Sequence, residues 1–195
     1  MRIGLTGGIG SGKSEVARIL GSLGAYIVDT DKLAREAVAP GSDGLFQVAR
    51  AWPSVVRGDC LDRAALAQIV FSDPTARERL NEIVHPHVRR LAEDVERYAE
   101  AGQLIVHVVP LLFETGYDKR VDATILVIAP EELRFERVMK RDRLSEAQIR
   151  ARMASQIDPQ EARARATYVL ANDGDLSHLK EQVCAVYNTL APRVA

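Results

Sequence analysis

The sequence predicts an α/β protein in which a five-stranded parallel sheet is flanked by helices. Five short apolar runs, several of them rich in β-branched residues and without polar alternation, are typical of strands covered on both faces. The predicted strands are residues 2–6, 25–28, 104–109, 123–128 and 167–171. Helical patterns lie between them, and this alternation of strands and helices favours a doubly wound sheet.

Length and composition limit the class of protein. The 195 residues are a normal length for one domain, and a hydrophobic share of 47% is too high for a disordered chain. The 26 basic and 27 acidic side chains leave a net charge of −1, without the basic surface of a general nucleic-acid binder. The longest apolar stretches, 104–113 and 123–130, are shorter than the about 20 residues that cross a bilayer.

The N-terminus and the cysteines bear on the compartment. Residues 1–10 lack the long apolar segment and cleavage site of a signal peptide. Cys60 and Cys184 lie far apart, match no metal-ligand spacing, and are interpreted as free thiols in a reducing compartment. We therefore expect a cytoplasmic protein without nucleic-acid or membrane partners, and a monomer, since no surface pattern indicates self-association.

The first predicted helix covers residues 13–23, where apolar residues recur at helical spacing before Gly24. About 75 residues without a good strand then separate the second and third strands, which predicts an inserted helical region. Asp73 is interpreted as a helix cap, with Pro74 at the first helical position. We expect Pro86 to start or kink a helix that continues to residue 101 and ends at Gly102.

Further helices are predicted beyond the fourth strand. Capping boxes, Ser145 with Gln148 and Asp158 with Glu161, predict helices that begin near residues 146 and 159. Two more are expected at 131–143 and 176–190.

Residues 7–14, GGIGSGKS, fit the pattern G-x-x-x-x-G-K-[ST] between a predicted strand and a predicted helix. Glycines allow consecutive backbone N–H groups to face one point, and the helix N-terminus adds positive potential. Lys13 can contact the β- and γ-phosphates, and the Ser14 hydroxyl can bind Mg²⁺. The motif predicts binding of a nucleoside triphosphate with Mg²⁺.

Two carboxylates, Asp29 and Asp31, follow the second predicted strand, and open α/β sheets bind ligands at the carboxyl ends of their strands. Phosphoryl transfer to an alcohol requires a carboxylate to accept the hydroxyl proton, and carboxylates can also hold the water shell of Mg²⁺. The pair can serve one or both roles. The alternative is that Asp31 only caps the helix at 32–38.

Three arginines, Arg134, Arg137 and Arg141, recur at i, i+3 and i+7 and share one face of a predicted helix. Planar donors of this kind can close over phosphates and neutralise the transferred group. The alternative is a solvated face paired with nearby acids. A wider basic cluster adds Lys140, Arg143, Arg150 and Arg152.

Several motifs in order along nearly the whole chain together resemble the dephospho-CoA kinase family. They are LTGGIGSGKS (5–14), VDTDKLAR (28–35), HP (85–86), VPLLFE (109–114), RVMKRD (137–142) and NDG (172–174). The resemblance implies a P-loop kinase with a helical CoA-binding insertion and a lid. It further implies ATP-dependent phosphorylation of the ribose 3′-hydroxyl of dephospho-CoA, the last step of coenzyme A synthesis.

The resemblance also implies an organisation and a set of site residues. A single domain would have its core at about 1–30, 103–130 and 156–195, an acceptor-binding insertion at 31–102 and a lid at 131–155. The implied catalytic residues are Asp31, Lys13 and Arg141, with Ser14 on Mg²⁺. The implied ATP-binding residues are Gly8, Gly10, Ser11, Gly12, Lys13, Ser14, Glu15, Arg137, Arg141 and Asn172. The implied acceptor-binding residues are Asp29, Asp31, Arg35, His85, Pro86, Leu111 and Phe113.

Some of these assignments have simpler alternatives. His85 can merely cap a helix, and Leu111 and Phe113 can belong to the core. Glu114 has a possible metal role, whereas His107, inside an apolar strand, is interpreted as a core histidine. Two other functions stay open: a different small P-loop kinase, acting on a nucleoside monophosphate or a metabolite alcohol, and a nucleotide-dependent adaptor.

Overall fold

The strands follow the apolar runs of the sequence. A computed structural model of the protein describes residues 1–142 and 144–191. The strands in this part of the chain are β1 Arg2–Gly7, β2 Tyr26–Asp29, β3 Val56–Arg57, β4 Cys60–Leu61, β5 Ile105–Val108, β6 Ala123–Ile128 and β7 Tyr168–Ala171. Five of them form one sheet in the order β2-β5-β1-β6-β7, and β3 and β4 form a separate antiparallel pair. The predicted fold class, a five-stranded parallel sheet flanked by helices, is confirmed.

The helices agree with the capping signals. Within the described ranges they are α1 Lys13–Ser22, α2 Thr30–Ala37, α3 Asp43–Ala51, α4 Arg63–Ser72, α5 Pro74–Glu96, α6 Glu131–Arg141, α7 Glu146–Ala154, α8 Pro159–Arg165 and α9 Leu176–Leu190. The Ser145 hydroxyl and the Gln148 side chain form the predicted capping box of α7. Asp158 caps α8 through the N–H groups of Gln160 and Glu161.

The central strand β1 determines the register of the sheet. It pairs in parallel with β5 from Arg2↔Ile105 onward and with β6 from Ile3↔Ala123 onward. Its Ile3 and Leu5 side chains are fully buried among apolar residues of α1 and α9. Burial of each apolar side chain of this size stabilises the fold by about 1.5–3 kcal/mol. This packing holds β1 in place, and the glycine-rich segment follows directly at its end.

The chain divides into two compact units. One consists of Met1–Val28 and Ala99–Ala195 and contains the large sheet, and the other, Asp29–Tyr98, is mainly helical. In the helical unit α5 packs against α2, α3 and α4. One cluster of buried apolar residues in this unit consists of Val38, Val48, Val55 and Leu66.

In the helical unit, the predicted helix end at residue 101 is wrong, and of the two alternatives for Pro86 the helix start is wrong. Pro86 lies inside the continuous α5, which begins at Pro74 after its Asp73 cap and ends at Glu96. Proline removes one helical hydrogen bond, but the helix buries Ala76 before it and Val88 and Ala92 after it. Packing on both sides of the proline therefore keeps the helix intact. The short β3–β4 hairpin was not predicted, since two-residue strands leave no hydrophobic pattern.

No helix in the described ranges combines the length and the apolar character needed to cross a membrane.

Candidate nucleotide-binding site

The glycine-rich loop joins β1 to α1. Gly10 and Gly12 have φ angles of 78° and 94°, in the left-handed region that favours glycine. The Ser11 N–H donates to the Gly8 carbonyl at 3.0 Å, which closes the turn. Gly12 is the N-cap of α1, and a Cβ there would collide with the amide group of Asn172. The loop therefore brings backbone N–H groups and a helix N-terminus together, as an anion site requires.

Distant side chains stabilise this loop. Asn172, directly after β7, is buried and donates through Nδ2 to the Ser11 carbonyl at 2.7 Å. Arg137 on α6 donates to the Gly10 carbonyl and to Asn172 Oδ1, both at 3.4 Å. The structure thus brings the predicted residues Arg137 and Asn172 to the phosphate loop.

Two further residues contact the loop, and neither was predicted as a site residue. Arg134 Nε donates to the Ile9 carbonyl at 3.0 Å, and Gln156 Oε1 accepts from the Ile9 N–H at 3.0 Å. Burial lowers the pKa of the Arg134 guanidinium from its ordinary value. Arg134 was detectable as the first member of the i, i+3, i+7 series. The sequence indicated no role for Gln156, although it ends the segment RMASQ (152–156), which resembles the family's pattern.

A cavity of about 790 Å³ adjoins the loop. Its walls include Gly7, Gly8, Ser11, Arg134 and Gln156. The Ser11 hydroxyl is buried and has no hydrogen-bond partner among the described residues, as expected of a donor available to a ligand.

The donor set also fits Mg²⁺ bound mainly through the nucleotide. Ser14 lies exposed in the first turn of α1. Among the described residues no three His, Cys, Asp or Glu side chains group as a metal site. Ser14 would thus supply one ligand, and Mg²⁺ commonly takes most of the others from phosphates and water.

Other predicted residues of the sheet-containing unit have different partners. Arg141, in the last turn of α6, forms a two-point hydrogen bond with Asp142 at 2.9 and 2.8 Å, which raises the pKa of Arg141 and lowers that of Asp142. Glu15 pairs with Arg18 at 2.6 Å, which lowers the pKa of the Glu15 carboxyl, while its own N–H donates to Gly12.

The wider basic cluster is largely a solvated face. Lys140 pairs with Glu136 and Arg150 with Glu146, all with exposed side chains. Arg143 lies outside the described residues.

The segment after β5 combines exposed and core residues. Leu111 is exposed, whereas Phe113 is buried with its ring beneath the Arg165 guanidinium and forms part of the cavity wall. Glu114 Oε1 accepts from the Ile157 N–H at 3.0 Å. In β5 itself, His107 is buried and its Nδ1 lies 2.8 Å from the Tyr117 hydroxyl, as expected of a core histidine.

In the helical unit, the acidic segment begins α2. Asp29, not Asp31, is the N-cap, and its carboxylate accepts from the Asp31 and Lys32 N–H groups at 3.0 and 3.2 Å. The alternative in which Asp31 caps the helix is therefore wrong. Asp31 and Arg35 lie exposed one turn apart on α2.

The motif at 85–86 lies in the middle of α5. His85 is half-buried, and this burial, with the positive charge of Arg89, lowers the pKa of its imidazole. Pro86 is exposed. His85 is not a helix cap, because the helix starts eleven residues earlier at Pro74.

The sheet order, the glycine-rich loop and the arginines that contact it together define the class of P-loop kinases. Within that class, the model of the CoaE dephospho-CoA kinase family matches residues 1–178. A dephospho-CoA kinase of Syntrophotalea carbinolica is 46% identical over 97% of this chain and 92% of its own. The chain belongs to the dephospho-CoA kinase family and is a kinase.

Solved structures have a similar fold. A crystal structure of TT1252 from Thermus thermophilus is similar with a TM-score of 0.87 and 43% identity over 98% of both chains. Dephospho-CoA kinase from Campylobacter jejuni is similar with a TM-score of 0.71 and 26% identity, over 97% of this chain and 96% of the other.

Proposed function

We propose that this protein transfers the γ-phosphoryl group of ATP to the ribose 3′-hydroxyl of dephospho-CoA, the last step of coenzyme A synthesis. The observation that carries the proposal is the phosphate loop held by Arg137 and Asn172 in a chain of this family. The acceptor comes from family membership, because the family and its relatives carry that name.

The donor side of the reaction is assigned to the loop and α6. The loop N–H groups and Lys13 would bind the β- and γ-phosphates, with Ser14 on Mg²⁺. Mg²⁺, when bound, neutralises charge on the phosphate oxygens. Arg137 and Arg141 would stabilise the negative charge that spreads over the transferred group. For this role the Arg141 guanidinium must release its hydrogen bonds to Asp142 and donate to a phosphate oxygen instead.

The acceptor side is assigned to the acidic segment and α5. The Asp31 carboxylate would take the proton of the 3′-hydroxyl while the 3′-oxygen bonds to the γ-phosphorus. The bond from the γ-phosphorus to the β–γ bridging oxygen breaks at the same time, and ADP leaves. Its exposure at the start of α2 leaves it accessible to an acceptor. Arg35, His85, Pro86, Leu111 and Phe113 stay predictions as acceptor contacts.

The test is ADP release measured with ATP, Mg²⁺ and a panel of acceptors, followed by mass and ³¹P analysis of the product. We expect dephospho-CoA to be the best acceptor and the new phosphate to be on the 3′-oxygen. Faster turnover of a nucleoside monophosphate or a sugar would favour another small kinase. ATP hydrolysis that no acceptor stimulates would favour an adaptor.

We also propose a cytoplasmic monomer without nucleic-acid or membrane partners. The near-neutral charge and two free cysteines support this assignment. Size-exclusion chromatography with light-scattering detection measures the molar mass and so tests whether the protein is a monomer.

A further inference from the structure

Gln156 has no role in the reaction proposed above, yet it contacts the phosphate loop directly. It lies between α7 and α8, and its Oε1 accepts from the Ile9 N–H at 3.0 Å. The same oxygen lies 3.4 Å from Arg134 Nη2, and Arg134 Nε donates to the Ile9 carbonyl at 3.0 Å. The backbone N–H and carbonyl of Ile9 are therefore both held by side chains, and these two side chains also contact each other.

The packing around this network is tight. A Cβ on Gly8 would lie 2.8 Å from the guanidinium carbon of Arg134, and one on Gly10 would lie 2.5 Å from its carbonyl oxygen. The first turn of α6 thus rests on the bare backbone of the loop. Because Arg134 also bonds the Ile9 carbonyl, a shift of α6 would disturb the Ile9 peptide.

Gln156 is itself held in place from the other side. The next residue, Ile157, donates its N–H to Glu114 Oε1 at 3.0 Å. The segment that contains Glu114 is held by Arg165, which donates to the Phe113 carbonyl at 3.3 Å and to Asp118 Oδ2 at 2.9 Å. The Gln156 side chain therefore projects from a fixed segment, so its acceptor can fix the loop in turn.

We propose that Gln156 is a positioning residue, which couples helix α6 to the phosphate loop by fixing the orientation of the Ile9 peptide. The inference rests on the proposed function. A phosphate loop contributes to the rate through N–H groups that are oriented before reaction, and small misplacements are costly. Without the Gln156 acceptor, the Ile9 N–H loses its partner and the loop tip can rotate away from the orientation that phosphoryl transfer needs.

The experiment compares Gln156→Leu with Gln156→Glu. Leucine has a similar size but no acceptor, whereas glutamate keeps an oxygen for Ile9 and Arg134. Gln160→Leu, the same change on exposed Gln160 of α8, is the matched control. We expect Gln156→Leu to lower kcat at least about tenfold and to change the Kd of ADP far less. Gln156→Glu should recover much of the loss, and Gln160→Leu should match wild type.

A readout independent of turnover is amide hydrogen exchange of residues 7–12. We expect faster exchange at Ile9 in Gln156→Leu and unchanged exchange in Gln160→Leu. If Gln156→Leu does not fold, Gln156→Asn, which withdraws the acceptor by one carbon, should give the same loss of kcat and the same faster exchange.

The outcomes separate the two proposals. If wild-type protein does not phosphorylate dephospho-CoA, the proposed function fails, whereas the exchange measurement still tests the contact with Ile9. If wild type is active and Gln156→Leu keeps kcat within twofold, the positioning role is overturned. Equal losses in the Leu and Glu variants also overturn it, because the acceptor oxygen would then be irrelevant.

Discussion

The chain has two strand-to-helix turns with proposed catalytic roles, and they are stabilised in opposite ways. The turn from β1 to α1 is held by distant residues: Asn172 lies 161 positions from Ser11, and Gln156 lies 147 positions from Ile9. The turn from β2 to α2 is held locally by Asp29, which bonds N–H groups two and three residues on. The difference indicates that phosphate binding depends on the whole sheet-containing unit, whereas the proposed base depends on one helix cap.

The largest expected effect is that of Asp31→Asn in the locally held turn. Asparagine cannot accept a proton, and loss of a general base lowers kcat by about 10²–10⁴-fold. ADP binding should stay unchanged, because Asp31 is assigned to the acceptor. Asp43→Asn, on exposed Asp43 of α3 in the same unit, is the control. ADP-release kinetics and titration calorimetry measure both quantities, and turnover within a few-fold of wild type would remove Asp31 from the base role.

Two arginines of α6, one in its middle and one in its last turn, sharpen the comparison. Arg137→Gln removes a contact to the loop and should lower kcat about 100-fold. Arg141→Gln should lower kcat less, about tenfold, because Arg141 must first leave its two-point hydrogen bond with Asp142 before it can contact a phosphate. Lys140→Gln, on the exposed side of the same helix, should match wild type. The three variants are compared by kcat and by KM for ATP, and an effect of Arg141→Gln above that of Arg137→Gln would reverse the assignment.

Two glycines with positive φ angles allow the cost of backbone strain to be compared with that of close packing. An alanine at either position adopts a left-handed conformation, which costs about 1–2 kcal/mol. Gly58, at φ 60° in the β3–β4 turn, has open space around it, whereas Gly12, at φ 94°, faces the Asn172 amide. Urea unfolding should therefore show a larger loss of stability for Gly12→Ala than for Gly58→Ala, and only Gly12→Ala should weaken ADP binding. Equal losses would mean that Asn172 does not hold the loop.

The smallest expected effect is a pH dependence of the helical unit. Burial lowers the pKa of His85, so the folded state favours neutral imidazole, and the unfolded chain binds more protons below about pH 6.5. The free energy of unfolding should be highest above that pH and decrease as pH falls toward the lower folded-state pKa. Trp52, the single tryptophan, packs in the core of this unit and reports its unfolding.

Two variants check the source of this pH dependence. His85→Gln should flatten it, and His178→Gln, on exposed His178 of α9, should leave it unchanged. If the free energy of unfolding of His85→Gln depends on pH as it does in wild type, a group other than His85 causes the dependence.

The sequence predicted most elements because their signals are local. The strand at 123–128 and the helix at 176–190 agree with β6 and α9 to the residue. The predicted helix starts at 146 and 159 are also confirmed, since each cap is made by a side chain bonding an N–H two or three positions away. The α5 helix was misjudged at Pro86 because the helix is kept intact by contacts with three other helices.

The phosphate loop was determined by the sequence alone, because glycine spacing, Lys13 and Ser14 lie within eight consecutive residues and need no partner to be identified. The family was likewise visible in the sequence, through motifs spread in order along nearly the whole chain. The tertiary structure alone decided which side chains hold that loop. Arg134 and Gln156 meet Ile9 only after the sheet has ordered the chain, and Arg141, on the same helix, bonds its neighbour Asp142 instead. The physical reason is that helical spacing determines which side chains share a face, whereas packing determines what that face contacts.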